Sequence, residues 1–115
     1  MTIQSDIVTA LSSVAGGRIF PQIADENAAY PLVNYRVSNK EPITTIDGIT
    51  HATKYTVIFE CWGKSYQSAL DTAASVRSAI QASSLNFYTI DEPDDDYDVQ
   101  TDSYLERVFF GFLHQ

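Results

Sequence analysis

The chain has 115 residues, fifteen acidic against seven basic side chains and a formal net charge of −8, with 44% hydrophobic and 19% charged residues. That length suits one domain, and that composition suits an ordinary globular core, not a disordered or membrane-embedded chain. The negative charge and the scatter of Arg18, Arg36, Lys40, Lys54, Lys64, Arg77 and Arg107 oppose sequence-specific DNA binding, which needs clustered cations to displace counterions, and the single Cys61 excludes an intrachain disulfide or a Cys-rich zinc site.

The N-terminal stretch has no positive region and carries Asp6 among its apolar residues, unlike a secretory signal, and no apolar run approaches the roughly 20 residues that span a bilayer. The expectation is a soluble cytoplasmic product of a reducing compartment. Ile3, Ile7, Leu11 and Val14 share one helical face, with Thr2 or Ser5 available as a cap. Gly16 and Gly17 end that helix, because glycine enters the left-handed conformation of a C-terminal stop without a Cβ clash. Arg18, Ile19 and Phe20, closed by Pro21, read as a short edge strand, and the segment from Gln22 to Tyr30 is small, polar and without a period.

From Pro31 onward Val33, Tyr35 and Val37 alternate with Asn34, Arg36 and Ser38, the pattern of a half-buried strand. Between Tyr55 and Trp62 both faces carry apolar groups: Tyr55, Val57, Phe59 and Cys61 on one, Ile58 and Trp62 with Thr56 and Glu60 on the other. That is an interior strand. The two are joined through Ile46-Asp47-Gly48-Ile49, whose Asp-Gly pair suits a type I′ turn. Strict pairing outward from the turn sets Val37 against Ile58 and mixes the faces. One extra residue near Glu41 and Pro42 would align Val37 with Val57, Tyr35 with Phe59 and Val33 with Cys61. Glu41 to Ala52 then project as an arm, and Ile43, Ile46 and Ile49 on it would be exposed β-branched residues, the mark of a contact surface.

After Gly63, Tyr66, Ala69, Leu70, Ala73, Val76 and Ile80 follow a 3.6-residue period, predicting a helix capped by Ser65 and running to about Ala82 or Ser83. A short strand, Asn86 to Ile90, follows. Asp91, Glu92, Asp94, Asp95, Asp96 and Asp98 then read as a solvated acidic loop held open by self-repulsion. The last strand spans Tyr104 to Leu113, with Tyr104, Val108, Phe110 and Phe112 on one face. The expected fold over residues 1–115 is a single α+β domain of order α-β-β-β-α-β-β: an antiparallel or mixed sheet of four to five strands with two helices packed on it.

Chemistry finds little purchase in these residues. His51 falls on the arm and His114 beside the C-terminus, so neither is placed as an oriented general base. Cys61, in the middle of an apolar strand, reads as a small buried hydrophobe. Gly16-Gly17 closes a helix and lacks the Lys-Ser/Thr of a phosphate loop. Asp94, Asp96 and Asp98 have the first three ligand spacings of a calcium loop, but Val99 and Leu105 stand where glycine and a bidentate glutamate are required. No catalytic residue, metal or cofactor is expected, and the chain reads as a non-enzyme.

Five segments carry a resemblance by their order and spacing: Gly17-Arg18-Ile19-Phe20-Pro21, Tyr30-Pro31-Leu32-Val33-Asn34-Tyr35, Asp47-Gly48, Phe59-Glu60-Cys61-Trp62, and the helix with Tyr66, Ala69, Ala73, Val76 and Arg77. Together they resemble the small tail-completion or tail-terminator proteins, also called tail-to-head joining proteins, of long-tailed bacteriophages and prophages. The resemblance implies a homo-oligomer, commonly a hexameric ring, on the head-proximal end of the tail tube. Such a ring stops tube growth, offers a docking surface to the head-tail connector, and lets phage DNA pass through its lumen without sequence-specific binding. It implies a virion protein of the tail or neck, assembled in the host cytoplasm without a membrane. Under it, Ile43, Ile46, Asp47, Gly48 and Ile49 are the expected self-assembly patch, and the carboxylates from Asp91 to Asp98 a solvated or DNA-repelling surface. The alternatives are another phage neck or connector component, and a cellular protein-binding module that uses the acidic segment.

Overall fold

In the computed structural model, which describes residues 3–21, 29–44, 50–99 and 103–114, the chain runs α1 (Ile3–Ala10), a 3-10 turn (Val14–Gly17), β1 (Ile19–Pro21), β2 (Leu32–Thr44), β3 (Thr50–Gly63), α2 (Tyr66–Ala82), β4 (Phe87–Asp98) and β5 (Ser103–His114). The strands form one sheet in the order β1-β2-β3-β5-β4. β1 lies parallel to β2 and the other neighbours are antiparallel. This is the expected α+β architecture, with the expected element order and the short first strand at an edge.

Ile3, Ile7, Leu11 and Val14 are all buried, as their spacing requires, but α1 stops at Ala10 instead of reaching Val14. Two serines, Ser12 and Ser13, favour turns over helix interior, and the chain tightens into the 3-10 turn. Ala15, Gly16 and Gly17 there take φ of 51°, 64° and 83°. The glycines thus supply the left-handed conformation expected of them, one turn later than the helix they were expected to end. Ser5 lies inside α1, where its carbonyl accepts a hydrogen bond from Thr9 Oγ1 at 3.0 Å, and so is not the cap; Thr2 lies outside the described residues.

The β2–β3 register aligns Val37 with Val57, Tyr35 with Phe59 and Val33 with Cys61. The extra residue that makes this possible is Ser38, between Val37 and Asn39, not Glu41 or Pro42. Ser38 Oγ donates to the Thr56 carbonyl at 3.3 Å. A hydroxyl that can bond back to the partner strand makes a bulge inexpensive at that position. A second shift between Ile43 and Thr44 restores the pairing sum nearer the tip.

α2 follows its sequence reading closely. Ser65 Oγ accepts the Ser68 N–H at 3.1 Å, and Ala69, Ala73, Val76 and Ile80 are buried along with Thr72. Tyr66 departs from that face: it stands at the first helical position, past the end of β3, and is 47% exposed. Under the helices the core is aromatic. Phe59 meets Phe110 at 6.1 Å and Phe112 at 6.5 Å, and Phe87 meets Phe110 at 5.8 Å, all edge to face, the arrangement favoured by the ring quadrupole. On the other face the Tyr88 ring lies across Gly111, where a Cβ would fall 1.9 Å from Tyr88 Cζ.

The largest correction concerns the acidic segment, which is strand and not loop. β4 continues through it to Asp98, paired with β5 from Asp94↔Arg107 to Asp98↔Ser103. A register shift between Ile90 and Asp94 accommodates Pro93, which cannot donate to a ladder. Self-repulsion of carboxylates was expected to hold the segment off the sheet. The ladder offered by β5 on both sides of that shift outweighs it, and Arg107 lies directly opposite Asp94 in the register.

Candidate functional site

Two ends of an elongated molecule stand out. The sheet pairing of β3 with β5 begins at Thr53↔His114 and ends at Gly63↔Tyr104, and β1 covers β2 only from Val33 to Tyr35. The β2–β3 hairpin therefore runs past the sheet at one end. The extents of 52 × 23 × 23 Å and a radius of gyration of 14.9 Å, against roughly 13 Å for a compact chain of this length, reflect that projection. Ser38 to Ile43 are exposed without interruption, with Ile43 at 40%. Ile46, Asp47, Gly48 and Ile49 lie outside the described residues. At the arm's base His114 Nε2 and Asp6 Oδ2 meet at 2.8 Å, tying the end of β5 to α1.

The other end carries a feature that sequence reading missed. Tyr97 and Tyr104 pack with their rings tilted by 55° and centroids 4.8 Å apart, and Tyr66 meets Tyr104 edge-on at 6.0 Å. Tyr97 is 42% exposed and the following Val99 81%. Three tyrosines from α2, β4 and β5 thus form an aromatic corner. Periodicity places Tyr66 on a helix and Tyr104 on a strand but leaves Tyr97 in the acidic segment; only the register Tyr97↔Tyr104 and the start of α2 beyond Gly63 bring the three together.

Two residues from Tyr104 on the same strand face sits Glu106, whose side chain is 7% exposed. Its Oε1 lies 3.7 Å from Arg77 Nη2, and its Oε2 is buried with no hydrogen-bond donor among the described residues. Asp95 is its partner across the ladder. A buried acceptor without a donor costs on the order of 1–3 kcal/mol. Glu106 belongs to the candidate site for that reason, although nothing in the sequence distinguishes it from a surface glutamate.

The sheet face away from the helices presents buried Leu32, Ile58 and Leu105, with Arg107 Nε and Glu60 Oε2 at 3.5 Å beside them. Asn34 Oδ1 and Trp62 Nε1 on that face are also buried without a partner among the described residues.

Cys61 is wholly buried between Val33 and Glu106 on neighbouring strands. Burial pushes its thiol up to about 12, with Glu60 adding to the shift and Arg77 opposing it. A thiol held protonated and inaccessible is neither nucleophile nor ligand. Among the described residues no group of three or more His, Cys, Asp or Glu side chains is arranged to hold a metal ion, and no helix is long and apolar enough to cross a membrane.

No family model matches the chain, and no curated protein matches it in sequence. Among solved structures, a chain of the virion of a native gene transfer agent particle has the same fold, with a TM-score of 0.63 over 98% of this chain and 95% of that one, at 10% identity.

Proposed function

We propose that this chain is a structural component of a phage-like virion, acting as a tail terminator that forms a ring at the head-proximal end of the tail tube. The observation that carries the reading is the fold shared end to end with a chain of a gene transfer agent virion. It is supported by the ordered resemblance from Gly17 to Arg77 and by the projecting hairpin. The work of such a protein is done by surfaces, so no enzymatic activity is assigned to it. Its partners are further copies of itself, the tail tube protein and the head-tail connector.

In a cyclic ring each contact joins two different patches of the same chain. The arm from Ile43 to Ile49 is one such patch, burying its isoleucines on the next subunit. The carboxylates between Asp91 and Asp98 would oppose adhesion of the DNA backbone wherever they face the lumen, since attraction at many phosphates retards transit.

The test is removal of the gene from the particle-producing cell, read by electron microscopy. Tails of uncontrolled length without attached heads are expected, restored by the gene in trans. Tails of normal length joined to heads would overturn the reading.

A further inference from the structure

We infer that Asp6 and His114 form a proton-sensitive clasp at the root of the arm, holding it against the helical layer when the imidazole is charged and letting it swing when the imidazole is neutral. The inference concerns the arm within one copy and holds whether or not copies join in a ring.

Three observations meet at that root. The first is a bend point. Ser38 is the extra residue of β2, between Val37 and Asn39, and a bulge kinks its strand and interrupts the ladder. From there outward Ser38 to Ile43 are exposed, and the β5 ladder gives out at Thr53↔His114, so that past this pair the arm is a two-stranded ribbon among the described residues. The second is space to move into. A cavity of about 910 Å³ lies between α1, the turn of residues 83–86 and the arm, lined by Asp6, Ala10, Leu85, Asn86, His114 and Ala52 of the arm itself. Close packing, which resists displacement in a protein interior, is missing on this side of the root.

The third is the tie across that cavity. His114 Nε2 and Asp6 Oδ2 meet at 2.8 Å although 108 positions separate them in the chain, and their side chains are 18% and 23% exposed. His114 is also the last β5 residue paired with β3, so what fixes its ring fixes the root. That ring meets Tyr55 of β3 edge-on at 6.4 Å, and Lys40 Nζ of β2 stands 5.9 Å from the centre of the Tyr55 ring. Contacts thus run from α1 through β5 and β3 to β2. The titratable and charged groups among them are the Asp6 carboxylate, the Tyr55 phenol and the Lys40 ammonium, while the turn of residues 83–86 is Ser-Ser-Leu-Asn and carries none. Histidine is the side chain that changes charge between about pH 5 and pH 8; carboxylates, phenols and ammonium groups ordinarily titrate outside that range. A carboxylate–imidazolium contact is a charge-assisted hydrogen bond, about twice as strong as its neutral counterpart, and partial burial limits its screening by salt.

The test is electron–electron double resonance on the full chain, with spin labels at Ser12→Cys on the helical side and Ile43→Cys on the arm, both exposed positions; Cys61 is buried and escapes labelling. The ratio of clasped to swung arms should be about tenfold higher at about pH 5.5 than at about pH 8. Asp6→Asn and His114→Gln should each show the alkaline behaviour at both pH values. His51→Gln, which removes the chain's other histidine, should keep the response. One distance distribution at both pH values, a response that survives Asp6→Asn or His114→Gln, or a response lost with His51→Gln would each overturn the inference. Where one clasp variant loses its native circular dichroism, the other variant and the comparison of the two pH values in the otherwise unaltered labelled chain decide. A chain that assembles normally and shows no pH response removes the clasp and leaves the ring reading standing; a chain that never assembles can still show the clasp.

Discussion

Cys61 illustrates how a single position carries both packing and titration. It is buried on all sides, and the low polarity around it disfavours the thiolate, raising its pKa from 9.0 to about 12. The folded chain therefore holds a proton that the unfolded chain releases above about pH 9. Stability from this group is present below the unfolded pKa and is lost as pH rises from 9 toward 12, at up to about 1.4 kcal/mol per pH unit. Tyr35, also raised by burial, adds in the same sense from about pH 10. Urea denaturation of wild type and Cys61→Ala between pH 8 and pH 11 should show the variant with the shallower alkaline loss, whatever its offset at pH 8. Equal slopes would mean that the thiol is hydrated in solution.

At the scale of elements, α2 is the part most directly written in the residues. Its apolar spacing, the Ser65 cap and its end near Ala82 were all legible because a helix is stabilised by near neighbours along the chain. Ser65→Ala removes the acceptor for the Ser68 N–H and should cost about 1 kcal/mol of unfolding free energy in a denaturant titration, while leaving m unchanged. β4 shows the opposite case. Nothing local in Asp91 to Asp98 favours a strand, since aspartate is depleted in sheets, and only the ladder offered by β5 holds it there. The β2–β3 bulge lies between these extremes: its existence followed from matching two apolar faces, but its place at Ser38 depended on a hydroxyl reaching the partner backbone.

For the whole molecule, the arm is the part that the domain does not need for its own folding. Beyond Thr53 it has no β5 partner, and from Ser38 to Ile43 it buries no side chain. Replacing residues 42–53 by Asn-Gly should shift stability by no more than about 1 kcal/mol, as for changes outside the core, with the near-UV circular dichroism of the Phe59, Phe110 and Phe112 cluster retained. Self-association and the capping of tail tubes should be lost. A truncated chain that assembles like the intact one would place the ring contact elsewhere.

Element order, the helical core face, the central apolar strand and the pairing of Val33, Tyr35 and Val37 with Cys61, Phe59 and Val57 are legible in the residues alone. These follow from periods of 3.6 and 2 and from the need to bury one face of each element. The residues also mark the arm, since a turn so far from the core strands cannot be covered by a small domain. Three features are settled by the fold and not by local sequence: the acidic segment is an edge strand, three tyrosines from separate elements share a corner, and Glu106 is buried beside them with an oxygen left over. The physical reason is common to all three. Each depends on what lies across the sheet, on a neighbour distant in sequence, and charge, aromaticity or polarity at one position carries no record of which neighbour that will be.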